Sequence, residues 1–150
     1  MILRNNSLKN LKNITNIIKD KYWHHKIFLL RGTLGVGKTQ FIKYILEDIV
    51  KEEIKSPTFS ILNKYTNISN NKISYWHFDL YKKQKMDLWE MEELGFYMFL
   101  ENLEDKIFIE WPERLSFPLL GLNLNFMYDH INIENNNSND INRIIEIKEG

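Results

Sequence analysis

The sequence predicts an α/β fold, and three observations predict it. A short apolar run, Ile27 to Leu30, has the length and character of a buried strand and passes directly into a glycine-rich loop. Behind the loop, Phe41, Ile42, Ile45, Leu46 and Ile49 recur at helical spacing between Gln40 and Val50. Further apolar strands, notably Lys106 to Trp111, are separated from this unit by helical and turn-forming stretches.

In chain order, Leu8, Leu11, Ile14, Ile17 and Ile18 give an amphipathic helix from Ser7 to Lys19, with Ser7 placed as its cap. The Ile27 strand, the loop and the Gln40 helix follow. Lys51 to Lys55 is a charged connection to Ser56-Pro57-Thr58-Phe59, where proline forbids helix and favours extended backbone before it. Phe59 to Tyr65 and Ile73 to Phe78 read as two strands around the turn chemistry of Asn67 to Asn71, a hairpin inserted after the loop helix. Asp87-x-x-Glu90 resembles a capping box opening a helix with Leu88, Met91 and Leu94 inward. Gly95 breaks that helix, and Phe96 to Leu100 forms a second short piece. After the Lys106 strand, ended by Pro112, the tail reads as strands from Leu122 to Ile133 and from Ile141 to Ile147. The asparagine-rich loop Asn135 to Asn139 joins them.

The chain has 150 residues, enough for one domain that buries its own core. Twenty basic residues balance 20 acidic ones, so the formal net charge is zero. That argues against a nucleic-acid groove made by this chain alone, because phosphate backbones select a local excess of cations. Without cysteine, neither disulfides nor thiolate metal sites are available. The N-terminus lacks the pattern of a signal peptide, and no apolar run reaches the length of a membrane span. A soluble, cytoplasmic protein with no membrane partner is expected.

The glycine-rich loop is Gly32-Thr33-Leu34-Gly35-Val36-Gly37-Lys38-Thr39, the Walker A or P-loop pattern in the strand–loop–helix context it requires. A polyphosphate can be held there only if many backbone N–H groups converge on it. Gly32, Gly35 and Gly37 permit the necessary torsions and close approach. The helix that begins near Lys38 adds its unpaired N–H groups and the positive end of its dipole. The residues expected to bind ATP are therefore Gly32, Leu34, Gly35, Val36, Gly37, Lys38, Thr39 and Gln40. Lys38 would reach the β- and γ-phosphates, and the Thr39 hydroxyl would help hold Mg2+.

Such a site needs a carboxylate near the metal. Glu110 is the leading candidate, a lone acid after an apolar strand, where burial without a partner would cost several kcal/mol on the order of the usual desolvation penalty. Asp79 is the second acid at a strand end. It either holds metal-bound water and orients an attacking water, or caps an ordinary turn. Thr58 sits where switch-like segments contact the γ-phosphate, or belongs to a rigid Ser-Pro turn. Trp111 is either a packing residue or an aromatic wall beside the nucleotide. His77 reads as a packed, hydrogen-bonded strand residue rather than a base.

Assembled, these residues resemble the TsaE (formerly YjeE) family. Its P-loop, S-P-T-[FY], H-F-D-L-Y-R, E-E-L-G and E-W-P-E motifs have counterparts in the same order. They are Gly32 to Thr39, Ser56-Pro57-Thr58-Phe59, His77-Phe78-Asp79-Leu80-Tyr81, Glu92-Glu93-Leu94-Gly95 and Glu110-Trp111-Pro112-Glu113. The resemblance implies a P-loop NTPase-like, three-layer domain with a mixed, mostly parallel central sheet. It implies a weak ATPase whose turnover depends on the TsaD and TsaB proteins. That complex transfers a threonylcarbamoyl group to the adenosine beside the anticodon of tRNA, so tRNA is met only through the complex. Carried over, Lys38, Asp79 and Glu110 are the catalytic residues, Thr39, Glu110 and Asp79 the metal group, and Thr58 and Trp111 lie beside the nucleotide. Thr33 departs from the usual loop aspartate, and Lys82 stands where arginine is common. The alternative is a small P-loop metabolite kinase. It would need lid arginines, and Arg4, Arg31, Arg114 and Arg143 form no such cluster.

Overall fold

The runs Ile27–Leu30 and Ile107–Ile109 are buried along their whole length, which only strands covered on both faces require. The computed structural model describes residues 1–5, 8–57, 60–128 and 143–150. Within them lie β1 (Ile2–Asn5), α1 (Leu8–Tyr22), β2 (Ile27–Arg31), α2 (Lys38–Leu46), β3 (Leu62–Thr66) and β4 (Ser74–Asp79). The chain continues through α3 (Leu88–Glu93), α4 (Phe96–Glu101), β5 (Lys106–Glu110), a 3-10 turn (Pro112–Arg114), β6 (Leu122–Tyr128) and β7 (Arg143–Glu149).

The seven strands form one sheet in the order β1-β7-β6-β2-β5-β4-β3. The pairs β6–β2, β2–β5 and β5–β4 are parallel, while β1–β7, β7–β6 and β4–β3 are antiparallel. The sheet is therefore mixed, but it is not mostly parallel. Parallel pairing is confined to the centre, the β3–β4 hairpin finishes one side, and the antiparallel pairs β6–β7 and β7–β1 finish the other.

Strand alternation divides the core between two faces. Phe28, Leu30, Phe108, Leu122 and Leu124 pack against Leu11, Ile14 and Ile18 of α1 and Phe41, Ile42 and Ile45 of α2. Ile27, Leu29, Phe78, Ile107 and Ile109 pack against Met91 of α3 and Phe96 and Phe99 of α4. Helices thus cover both faces. Asp87 and Glu90 form the full capping box that opens α3, and Gly95, at φ 89°, starts α4. Of the three residues expected inward on α3, Met91 is fully buried, Leu94 half-buried and Leu88 exposed. A six-residue helix presents too little of its circumference to bury all three.

Some boundaries move. The loop helix starts at Lys38 rather than Gln40 and stops at Leu46, because Val50 is drawn into a bridge with Asn67. β3 begins at Leu62, and β1, unanticipated, is a four-residue strand whose pairing to β7 defines it. The Ser7 cap, Thr58, Phe59, the strand ends at Ile133 and Ile141 and the Asn135 to Asn139 loop lie outside the described residues.

Candidate functional site

The glycine loop leaves the C-terminal edge of β2 and turns into α2 with three glycines at positive φ. They are Gly32 at 138°, Gly35 at 77° and Gly37 at 110°. At Gly32 the requirement is double, since a Cβ there would lie 2.5 Å from the Phe126 carbonyl oxygen on β6. Val36 points away from solvent into the α1–α2 side of the core, so its side chain anchors the loop. Lys38 folds back under the loop, and its Nζ donates to the carbonyls of Gly32 at 2.7 Å and Thr33 at 2.9 Å. The ammonium also lies 4.0 Å from the centroid of the Trp111 ring. Burial lowers the Lys38 pKa, and the carboxylates of Glu110, Glu113 and Asp79 oppose that shift.

β4 and β5 end side by side, with Asp79 and Glu110 as register partners. Partners on adjacent strands share a face, so both acids project toward the side where α2 begins. Glu110 is only 3% exposed. Its Oε1 accepts the Thr39 hydroxyl at 2.7 Å and lies 2.9 Å from His77 Nε2. Asp79 is half-buried: Oδ2 accepts the Ser56 hydroxyl at 2.7 Å and Oδ1 accepts the Tyr81 amide at 3.1 Å. Asp79 therefore does cap the turn after β4, one of its two readings, while also facing the cavity.

Beyond the strand ends, Trp111 N donates to Leu30 O and Leu80 N donates to Glu110 O, which extends the ladder past both acids. Trp111 adopts φ 61° and ψ 49°, the left-handed region, which costs a bulky residue about 1–3 kcal/mol. That turn directs its ring over Lys38 and to within 5.1 Å of the Tyr81 ring. Trp111 thus lines the cavity while also packing, half-buried, against the α3–α4 side of the core.

These groups surround a cavity of about 750 Å3. Leu34, Gly35, Gly37, Lys38, Thr39 and Gln40 line one side, and Asp79, Glu110 and Trp111 the other. Gly32 and Val36 support the loop from below and do not line it. Thr58 lies outside the described residues, but its neighbours Ser56, Pro57 and Ser60 line the rim. Tyr81, Lys82 and Lys83 complete the wall, and Lys83 is paired with Glu90 at 2.7 Å. None of the four arginines lines the cavity, and Arg31 is paired with Glu113 at 3.5 Å.

Sequence reasoning missed the connections of this site. His77 is the packed, hydrogen-bonded strand residue that the sequence predicts, fully buried, but the sequence does not give its partner, Glu110. Ser56 was read only as part of a Ser-Pro turn, whereas it holds Asp79. The available signal was the i, i+2 spacing of His77 and Asp79 on one strand face.

The donor set suits a small, hard cation bound with much of its water. Thr39, Glu110 and Asp79 offer oxygen only, and the described residues contain no cluster of three or more His, Cys, Asp and Glu side chains able to hold a metal. The buried Glu110 carboxylate, hydrogen-bonded to the Thr39 hydroxyl, lines the same cavity as the Lys38 ammonium, an arrangement that could hold a cation and an anionic group side by side. No described helix is long and apolar enough to cross a membrane.

A family model described as threonylcarbamoyl adenosine biosynthesis protein TsaE matches residues 5–145. A TsaE protein of Rickettsia prowazekii, named for tRNA threonylcarbamoyladenosine biosynthesis, is 34% identical over 125 residues, covering 79% of this chain and 82% of its own length. Its counterpart in Borreliella burgdorferi is 36% identical over 88 residues, 59% of this chain and 61% of that protein. The crystal structure of YdiB from Bacillus subtilis superposes with a TM-score of 0.62 at 20% identity, covering 100% of this chain and 86% of that one. At that identity the likeness speaks for the fold alone.

Proposed function

Since the chain belongs to the TsaE family of tRNA threonylcarbamoyladenosine biosynthesis, we propose that it is the ATP-binding, Mg2+-dependent ATPase subunit of that pathway. In this reading the domain is P-loop NTPase-like and cytoplasmic. It supports threonylcarbamoyl transfer to the adenosine beside the tRNA anticodon by acting on a TsaD–TsaB complex. One observation carries the proposal: the Lys38 ammonium and the Thr39 hydroxyl, at the start of α2, converge on one cavity with the Glu110 carboxylate at the end of β5, 71 residues away from Thr39.

The roles follow from the chemistry of each group. The loop amides from Leu34 to Gln40 and the start of α2 bind phosphate oxygens. Lys38 exchanges its two carbonyl partners for phosphate oxygens and neutralises charge that develops as the bond to the γ-phosphorus breaks. Mg2+, when bound, supplies charge neutralisation and orients the phosphate oxygens. Thr39, Glu110 and Asp79 would hold it with their oxygen atoms. Asp79, open to the cavity, accepts a hydrogen bond from the attacking water, whose oxygen joins the γ-phosphorus as ADP departs. Trp111 and Tyr81 exclude solvent from one side.

The test compares ATP hydrolysis by the protein alone with hydrolysis in the presence of TsaD and TsaB. Slow turnover alone and faster turnover with both partners is the expected outcome. Rapid ADP release that depends on a small-molecule acceptor, with no partners present, would instead establish a metabolite kinase.

A further inference from the structure

His77 is the only histidine buried completely among the described residues, and the roles above do not use it. It sits at the middle of β4, two residues before Asp79 and on the same strand face. Its Nε2 lies 2.9 Å from Glu110 Oε1, and its Nδ1 lies 3.4 Å from the Tyr65 hydroxyl on β3. Tyr65, itself 3% exposed, shares its one hydroxyl proton between the Lys55 carbonyl at 2.9 Å and His77 Nδ1, and accepts from Asn63 Nδ2 at 3.3 Å. Lys55 immediately precedes Ser56, whose hydroxyl holds Asp79.

We propose that His77 is a positioning residue that fixes the Glu110 carboxylate for the bound metal and ties its orientation, through Tyr65, to the 55–57 segment. The proposal rests on the ATPase reading given above. The direction of the hydrogen bonds follows from the inventory of donors and acceptors. An ionised carboxylate can only accept, so Nε2 carries the proton and donates to Oε1. The same oxygen accepts from Thr39, which leaves the second carboxylate oxygen to face the cavity. Two donors from different elements, α2 and β4, hold one oxygen and so remove the freedom of the carboxylate to rotate.

Burial makes this arrangement consequential. Water cannot replace a lost donor at a residue 3% exposed, so without His77 the charge would turn toward the cavity or draw the α2 start toward itself. Either movement displaces the oxygen aimed at the metal. Partners that orient metal ligands typically change metal affinity or activity about 10–100-fold when removed. In the ATPase reading the metal-independent contacts to nucleotide come from the loop amides and Lys38, whereas the hydrogen bonds of His77 go to Glu110 and Tyr65.

Three variants test this: His77→Leu removes both ring nitrogens, His77→Gln retains an N–H donor near Nε2, and Tyr65→Phe removes only the outer hydroxyl. Each is titrated with a fluorescent ATP analogue in EDTA and again across a Mg2+ series, with thermal melts as a check on folding. His77→Leu is expected to bind the analogue in EDTA like the parent, yet to need about tenfold more Mg2+ for the metal-dependent gain in affinity. His77→Gln should recover most of that gain. Tyr65→Phe should fall between His77→Gln and His77→Leu.

Equal Mg2+ requirements for His77→Leu and the parent would overturn the proposal. So would Leu and Gln variants with the same defect, or losses in EDTA as large as those with metal. Should His77→Leu fail to fold, His77→Asn, whose shorter amide cannot reach Glu110, takes its place: a raised Mg2+ requirement supports the proposal and a parental one overturns it, while a parental Tyr65→Phe refutes the link through Tyr65. If the parent itself binds no nucleotide under any condition, the ATPase reading falls first. That result is distinct from a parent that binds normally and variants that match it.

Discussion

The two walls of the cavity are built on opposite plans. The loop wall is a single run of chain whose backbone does the work: three glycines at positive φ and a helix start. The acid wall is made of side chains brought together across the sheet. Thr39 and Glu110 are 71 residues apart in sequence and 2.7 Å apart in space, and Ser56 and Asp79 are separated by 23 residues. Backbone recognition tolerates many side chains so long as the torsions are allowed, whereas the acid wall depends on strand register. A slip of one residue in β4 or β5 would turn Asp79 or Glu110 to the opposite face. In the proposed function the loop wall therefore serves binding, and the acid wall sets the geometry in which bound nucleotide would react.

The largest expected effect breaks the loop wall. Lys38→Ala removes the only ammonium that bridges the Gly32 and Thr33 carbonyls among the described residues and faces the acids across the cavity. Charge-assisted hydrogen bonds to phosphate are worth about 2–3 kcal/mol, so nucleotide affinity should fall roughly a hundredfold. Isothermal titration with ATP and Mg2+ measures it. Parental affinity in Lys38→Ala would leave the loop wall without its assigned role.

A smaller and qualitatively different effect is expected from the acid wall. Glu110→Gln preserves shape but removes the charge that faces the metal. Hydrolysis at saturating ATP should drop about 10–100-fold, while affinity for nucleotide in EDTA changes by less than about threefold. Single-turnover hydrolysis together with the same titration separates the two quantities. If both fall together, the division between a binding wall and a reacting wall is wrong.

The same contrast explains what could be read before any coordinates. Gly32 to Thr39 is legible because everything it needs is contiguous: the apolar strand, the glycines and the helix behind them. The structure carries that run straight from β2 into α2, and Gly32 sits where a Cβ would meet the Phe126 carbonyl. Glu110 and Asp79 were visible as acids at strand ends, but their adjacency depends on β4 and β5 being parallel neighbours, which no local pattern encodes. His77 shows the limit most clearly. Its burial could be guessed from its apolar neighbours, but its donor role depends on a partner 33 residues away. The sheet follows the same rule. The central strands announce themselves as continuous apolar runs, while β1 exists only because β7 offers an edge. The mostly parallel sheet implied by the resemblance fails because the β3–β4 hairpin, which the turn chemistry does predict, and the β6–β7 and β1–β7 pairs are antiparallel.

The finest division lies within the acid wall, between a buried carboxylate and one that solvent can reach. Asp79 receives the Ser56 hydroxyl on one oxygen and the Tyr81 amide on the other, but it is only half-buried. Water can take the place of Ser56 there, in contrast to the His77 donor at Glu110. Ser56→Ala should therefore cost about 0.5–1 kcal/mol of the alignment of Asp79, a two- to fivefold fall in kcat, with KM for ATP and the melting temperature close to the parent. Steady-state kinetics at several ATP concentrations resolves a change of that size. A fall as deep as that of Glu110→Gln would mean that solvent does not substitute at Asp79. In that case both acids would be held by irreplaceable protein donors, and burial would not be what distinguishes them.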